Sequence, residues 1–176
     1  MHGLLQSLPR NATKEQIAAA LADLSEAEAD YLLHDWSLWA RPEQLPPPGE
    51  WTVWMFLGGR GSGKTRSGAE WVRSAIRHGV SRIALVAPTA ADARDVMVEG
   101  NSGILSVCHK SDRDWRGIYV GRPLYEPSKR RLTWANGAIA TTFSADEPDR
   151  LRGPQHEAAW CDEVVAWRYQ REAWDM

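Results

Sequence analysis

The spacing of apolar positions changes character at residue 41. Ahead of it, Thr13 and Gln16 make a capping box, with Ile17, Ala20, Leu21 and Leu24 following at helical offsets. Ser25 and Glu28 make a second box, followed by Tyr31, Leu32 and Trp36, so residues 1–40 are expected as a helical segment of two short amphipathic helices. Residues 41–50 (RPEQLPPPGE) hold four of the ten prolines and predict a stiff, extended connector, because proline lacks the N–H that helix interiors and central strands require. Beyond it the periods alternate. Residues 52–57 (TVWMFL) form a short unbroken run of β-formers, as a buried parallel strand does. Residues 64–78 carry Ala69, Val72, Ala75 and Ile76 at helical offsets, with Gly79 as a stop signal. Residues 82–87 (RIALVA) repeat the buried-strand pattern up to Pro88, and Thr89 opens a helix of about ten residues that Gly100 closes. A β-α-β-α order predicts an α/β fold with a mostly parallel sheet flanked by helices.

Residues 101–127 show no clear period. Residues 131–134 and 138–143 flank Asn136-Gly137, a strong hairpin signal. Residues 157–161 (EAAWC) predict a third buried strand, ending in Asp162-Glu163, and residues 164–174 read as a helix. Length and composition (176 residues, 43% hydrophobic, 25% charged, net charge −2) fit one ordinary globular domain. Two isolated cysteines, 108 and 161, suit a reducing compartment. No apolar run approaches the roughly 20 residues of a membrane helix, and residues 1–10 lack the build of a signal peptide, so a cytoplasmic protein without membrane attachment is expected.

Chemistry concentrates in two places. Residues 58–65 read GGRGSGKT and satisfy G-x-x-x-x-G-K-[ST] with Gly58, Gly63, Lys64 and Thr65 in the required positions. Backbone N–H groups of Gly59, Arg60, Gly61 and Ser62 can converge on phosphates only where side chains are largely absent, and the following helix aims its positive end at the same anion. Lys64 then serves the β/γ oxygens and Thr65 a magnesium ion, so ATP and Mg2+ are the expected cofactors. The second place is Asp162-Glu163 at a strand end, with Asp162 as the second metal-side acid and Glu163 activating the attacking water. The strand ahead of this pair is not the next one after the loop, which suits glutamate-bearing ATPases better than nucleoside kinases. Arg60 inside the loop and Arg152 ahead of the third strand are candidates for offsetting transition-state charge. Of the 21 basic residues four are lysines, so the positive charge is mostly guanidinium. Lys129, Arg130 and Arg131, with Arg113, Arg116 and Arg122 nearby, read first as a solvated run and second as a contact for a nucleic-acid backbone. The histidines show no ligand spacing, and Cys108-His109 reads as structural.

These residues resemble the large terminase subunit, the DNA-packaging motor of tailed double-stranded DNA phages and gene transfer agents. The likeness rests on GGRGSGKT, on ARPEQLPPPGEWTVWMFL leading into it, on VAPTAADARDVMVEG, and on FSADEPDRLRGPQHEAAWCDE around the acid pair, together spanning about residues 36–168. It implies a P-loop NTPase fold of the additional-strand, catalytic-glutamate type over residues 51–176. It also implies packaging of double-stranded DNA into a procapsid by a homo-oligomeric ring at the portal, with a small terminase subunit. Arg60 resembles the family's loop arginine, Arg152 a finger reaching a neighbour's nucleotide, and Gln44 with Arg41 an adenine reader. Family members continue into a further strand and a nuclease domain, so the resemblance covers the ATPase half alone, with an unpaired sheet edge, weak ATP binding and little turnover expected of it. Two other readings stay open: a helicase-like nucleic-acid-dependent ATPase and a nucleotide-binding interaction module without turnover.

Overall fold

Five strands, β1 (Arg82–Ala87), β2 (Leu124–Glu126), β3 (Arg131–Thr133), β4 (Ile139–Ser144) and β5 (Ala158–Cys161), form one sheet in the order β2-β3-β4-β1-β5 in the computed structural model. The structure describes residues 24–175 together with Thr13, Glu15, Ala19 and Ala22, so most of the helix expected before Leu24 lies outside the described residues. By its internal contacts the chain divides into residues 1–40 and 41–176.

In the first unit the Ser25 hydroxyl accepts from Glu28 N at 3.4 Å, and the Glu28 carboxylate accepts from Ser25 N at 2.8 Å, which starts α1 (Glu26–Leu33). The helix does not run through Trp36 as its spacing suggests. The Asp35 carboxylate accepts from Ser37 N at 3.0 Å and caps a separate short helix, α2 (Trp36–Trp39).

In the second unit β1 lies parallel to β4, from Arg82↔Ile139 to Ala87↔Ser144, and parallel to β5 on its other side. β3 and β4 pair antiparallel across the Asn136-Gly137 turn, where Gly137 takes φ +88°, and β2 extends the hairpin. The sheet is therefore mixed where a mostly parallel one was expected, because the hairpin contributes both antiparallel pairs. Helix α3 (Lys64–Arg77) packs Ala69, Val72 and Ile76 with Ile83 and Leu85 of β1, all 0% exposed. The alternate residues Ala84 and Val86 face Phe143, Trp167 and Ala173 in a second cluster. Both faces of β1 are covered, which explains its unbroken apolar run. Cys108 is buried in the first cluster, and burial pushes its thiol up to about 12.

Three expectations are corrected. Residues 52–57 form no strand: the run joins no strand of the sheet, Trp51, Trp54 and Phe56 associate with one another instead, and Val53, Met55 and Leu57 stand 56%, 69% and 79% exposed. The helix after β1 begins as α4 (Ala90–Asp92) behind a Thr89–Asp92 capping box but continues as a π-helix over Ala93–Val98. The expected helix over 164–174 is broken into a 3₁₀ turn (Val164–Ala166) and α6 (Gln170–Trp174), since the Trp167 indole turns back to donate to the Asp162 carbonyl at 2.9 Å. The stretch without a period contains a further short helix, α5 (Ile104–Val107). Among the described residues no helix is long and apolar enough to cross a membrane.

Helix α3 also carries a buried ionic ladder. Arg73 Nε donates to Asp112 Oδ2 at 2.7 Å, Arg73 Nη1 to Glu70 Oε2 at 3.2 Å, and Arg66 Nε to Glu70 Oε1 at 2.9 Å. The Arg73, Glu70 and Asp112 side chains are 8%, 2% and 5% exposed. Removing one partner of such a set leaves an uncompensated buried charge. Arg73→Met is expected to lower the free energy of unfolding by about 3–5 kcal/mol in urea titration, and Arg73→Met/Asp112→Leu to recover at least half of the loss.

Candidate functional site

Residues 58–65 fold as a turn that runs directly into α3. Ser62 N donates to Gly59 O at 3.3 Å, and Ser67 N donates to Gly63 O at 2.9 Å as the helix begins. Gly63 takes φ +86°, a left-handed conformation that glycine adopts without penalty, and a side chain there would collide with the Gln44 amide. The Lys64 ammonium curls back over this turn, donating to Gly58 O at 2.8 Å and Gly59 O at 3.2 Å.

The acid pair arrives from the far end of the sequence. Asp162 N continues the β5 ladder by donating to Val86 O at 2.8 Å. Burial, and next to it the Glu163 carboxylate, holds the Asp162 carboxyl above its usual range, while Lys64 pulls the other way. Glu163 then leaves the strand in a left-handed conformation, φ +46° and ψ +47°, which costs a residue with a side chain about 1–2 kcal/mol. That turn aims its carboxylate at the loop, with Glu163 Oε1 3.8 Å from Lys64 Nζ.

A cavity of about 600 Å³ lies where these elements meet. Arg60, Gly61, Ser62, Gly63, Lys64, Thr65 and Glu163 line it, so most of the residues singled out in the sequence share one surface. Gly58 and Gly59 stand outside the lining and hold the Lys64 amine through their carbonyls. The connector contributes from behind: in a 3₁₀ turn at Pro42–Gln44, Arg41 Nη2 and Gln44 Nε2 both donate to Ser62 O, at 2.7 and 3.3 Å. Gln44 Oε1 accepts from Arg41 N at 3.0 Å, and the residue is 6% exposed, so both ends of its amide are engaged within the chain. Arg152 is not among the lining residues; its Nε lies 3.6 Å from Asp149 Oδ1 on an exposed turn. Asp162 is likewise outside the lining, immediately behind Glu163.

The rest of the lining was not foreseen. Asp95, Val96, Gly100, Asn101 and Ser102 come from the π-helix and the turn that ends it. The one sequence signal was the GNSG run at 100–103, where a Cβ on Gly100 would sit 2.6 Å from Val96 O. What the site offers is a glycine-rich turn at a helix start, the Lys64 ammonium, the Arg60 and Arg66 guanidiniums and the Asp95 and Glu163 carboxylates around a polar cavity, with the half-buried Asp162 behind. The Ser62 hydroxyl there is buried without a hydrogen-bond partner.

A family model described as the T4-like-virus-type large terminase subunit, N-terminal part, matches residues 55–176. Neither the curated proteins nor the solved structures contain a match to this chain.

The left-handed Glu163 yields a test of stored strain. The Lys64–Glu163 pair is 26% and 58% exposed and contributes little to stability. Glu163→Gly is therefore expected to raise the free energy of unfolding by about 0.5–1 kcal/mol, read by urea titration, because relief of strain exceeds the entropy glycine adds to the unfolded chain.

Proposed function

The chain belongs to the T4-like large terminase subunit N-terminal family, and from that premise we propose that residues 51–176 form a P-loop ATPase domain of the additional-strand, catalytic-glutamate type, acting as the motor in packaging double-stranded DNA. In the same proposal residues 1–40 are a separate segment preceding it in sequence and residues 41–50 the connector. The observation that carries the reading is the convergence of Lys64 and Glu163 to 3.8 Å at one glycine-lined cavity, from opposite ends of the domain.

The residues fit a magnesium–triphosphate group. The turn at 58–63 exposes backbone around a helix start, where N–H groups and the helix dipole favour an anion. The Ser62 hydroxyl lacks a partner that an acceptor oxygen can supply. In this reading Lys64 exchanges the Gly58 and Gly59 carbonyls for the β/γ oxygens of ATP. Thr65 and Asp162 would hold Mg2+, a hydroxyl and a half-buried carboxyl being oxygen donors of the kind that ion takes. The metal, when bound, offsets charge on the phosphate oxygens. Glu163 orients water and accepts its proton, and its strained backbone fixes where that carboxylate stands. Arg60 adds positive charge inside the cavity. Arg152, exposed on its own chain, is suited to act on the nucleotide of a neighbour in a homo-oligomeric ring at the portal of the procapsid, with the small terminase subunit as a further partner. Arg41 and Gln44 set the rim of the loop and meet the adenine end by exchanging their bonds to Ser62 and to each other.

Two substitutions separate the roles. Lys64→Ala is expected to weaken ATP binding at least tenfold, measured by titration with a fluorescent ATP analogue. Glu163→Ala is expected to leave that affinity within a few-fold while phosphate release falls about 10²–10⁴-fold, the range of a lost general base. Equal loss of nucleotide affinity in both variants contradicts the assignment.

A further inference from the structure

The basic residues between 110 and 131 fall into two groups in the structure. Lys129, Arg130 and Arg131 are paired with acids: Lys129 Nζ lies 2.6 Å and Arg131 Nη2 3.3 Å from Glu126, and Arg130 Nη1 3.2 Å from Glu147. Residues 109–122 differ in keeping their own acids buried. Asp114 N donates to Ile118 O at 2.8 Å, Gly117 N closes the turn on Asp114 O at 2.9 Å, and Arg113 bridges to Tyr119, which makes a small hairpin. Its two acids point inward and are engaged: Asp112 is 5% exposed and bonded to Arg73, and Asp114 is 6% exposed and accepts from Arg116 N and Ile118 N, each at 2.9 Å. Lys110, Arg113 and Arg122 are exposed, and so is Arg116, whose guanidinium is engaged by Asp114 with Nη2 2.8 Å from Oδ2. Trp115, Ile118 and Tyr119 stand out at 69%, 46% and 49% exposure, with the Arg116 guanidinium 5.5 Å from the Trp115 ring centre.

The hairpin is rigidly mounted. Trp115 N donates to Arg77 O at 2.9 Å and Arg77 Nε to Arg113 O at 3.0 Å, so besides the Arg73–Asp112 pair two further bonds tie it to α3. A fixed element with three exposed cations besides the Asp114-paired Arg116, no exposed acid of its own and three projecting apolar side chains is complementary to a polyanion that also presents apolar sugar faces. We propose that the 109–122 hairpin is a contact for the phosphate backbone of double-stranded DNA, its lysine and arginines neutralising phosphates and Trp115 packing on deoxyribose. The identity of the ligand rests on the packaging reading, which leaves open where on this chain the duplex lies.

The test is anisotropy of a short fluorescein-labelled duplex of mixed sequence, titrated with the full chain without nucleotide at several salt concentrations. Lys110→Gln/Arg113→Gln/Arg122→Gln is expected to bind at least tenfold more weakly. Its plot of log affinity against log salt is expected to flatten by about 2–3, at about 0.9 for each lost phosphate contact. Lys110→Gln/Arg122→Gln, which leaves the Arg113–Gly117 bond of the hairpin intact, is expected to flatten it by about 2. Trp115→Ala is expected to weaken binding with the slope unchanged. Parent-like affinity and slope in the triple variant overturn the proposal, as does a loss of affinity that is equal at every salt concentration. Binding of the parent to polyglutamate as tight as to the duplex overturns it too. A reduced slope alongside normal nucleotide binding by Lys64→Ala refutes the ATPase reading and leaves the DNA surface standing; an unchanged slope alongside the expected Lys64 result does the reverse.

Discussion

The indole of Trp160 lies directly against the backbone of Gly68, and that contact sets the relation between the two ends of the cavity. A Cβ on Gly68 would enter the ring, so only glycine allows α3 to come down onto β5 at this height. Gly68 sits one turn after Lys64, and Trp160 precedes the acid pair by two residues. The register of β5 on β1, with Leu85↔Trp160 and Val86↔Cys161, then fixes where the strand releases Asp162 and Glu163. The 3.8 Å between Lys64 and Glu163 is a consequence of this packing and of the turn at Glu163. The pair is too exposed to draw the elements together by its own attraction.

What was legible in the sequence follows from how local each determinant is. The helix start at Lys64, the Ser25 capping box, the helix start after Thr89 and the Asn136-Gly137 turn are specified by neighbouring residues and appear as read. β1 was legible because burial on both faces leaves an unbroken apolar run. The same signal at 52–57 misled, since an apolar run states that a segment can be a strand but not that its side chains find their partners in a sheet. Trp51, Trp54 and Phe56 associate with one another, ring centres 6.2 and 6.3 Å apart, and the segment pairs with no strand. The π-helix at Ala93–Val98 was beyond reach for another reason: apolar spacing does not distinguish a π-helical from an α-helical ladder over six residues. With it went the part of the cavity that Asn101 and Ser102 supply. Arg152 marks the boundary of what one chain displays, because the role implied for it lies on a neighbour.

Helix α3 joins two surfaces of different character. At its start the chain presents amide groups and the Lys64 ammonium to the cavity; toward its end Arg73 and Arg77 hold the basic hairpin. Fourteen helical residues at 1.5 Å each place these ends about 20 Å apart along one rigid rod. The connection at the far end adds to apolar packing through Val120 a buried ion pair, one backbone bond and one side-chain bond. Apolar contacts are tolerant of sliding, whereas the guanidinium–carboxylate fork of Arg73 and Asp112 has one geometry. A hairpin mounted in this way follows α3 in direction as well as position.

That choice has an energetic logic. Burying Arg73, Glu70 and Asp112 is no more stabilising than a well-packed apolar cluster of the same volume, so stability alone does not account for the ladder. Its distinguishing property is continuity: Arg66, which lines the cavity, bonds Glu70; Glu70 bonds Arg73; Arg73 bonds Asp112. An uninterrupted chain of charged hydrogen bonds thus runs from the cavity to the base of the hairpin, and each link is directional. A directional link between the cavity and the hairpin is what buried charge supplies at this place and an apolar cluster of leucine and methionine does not.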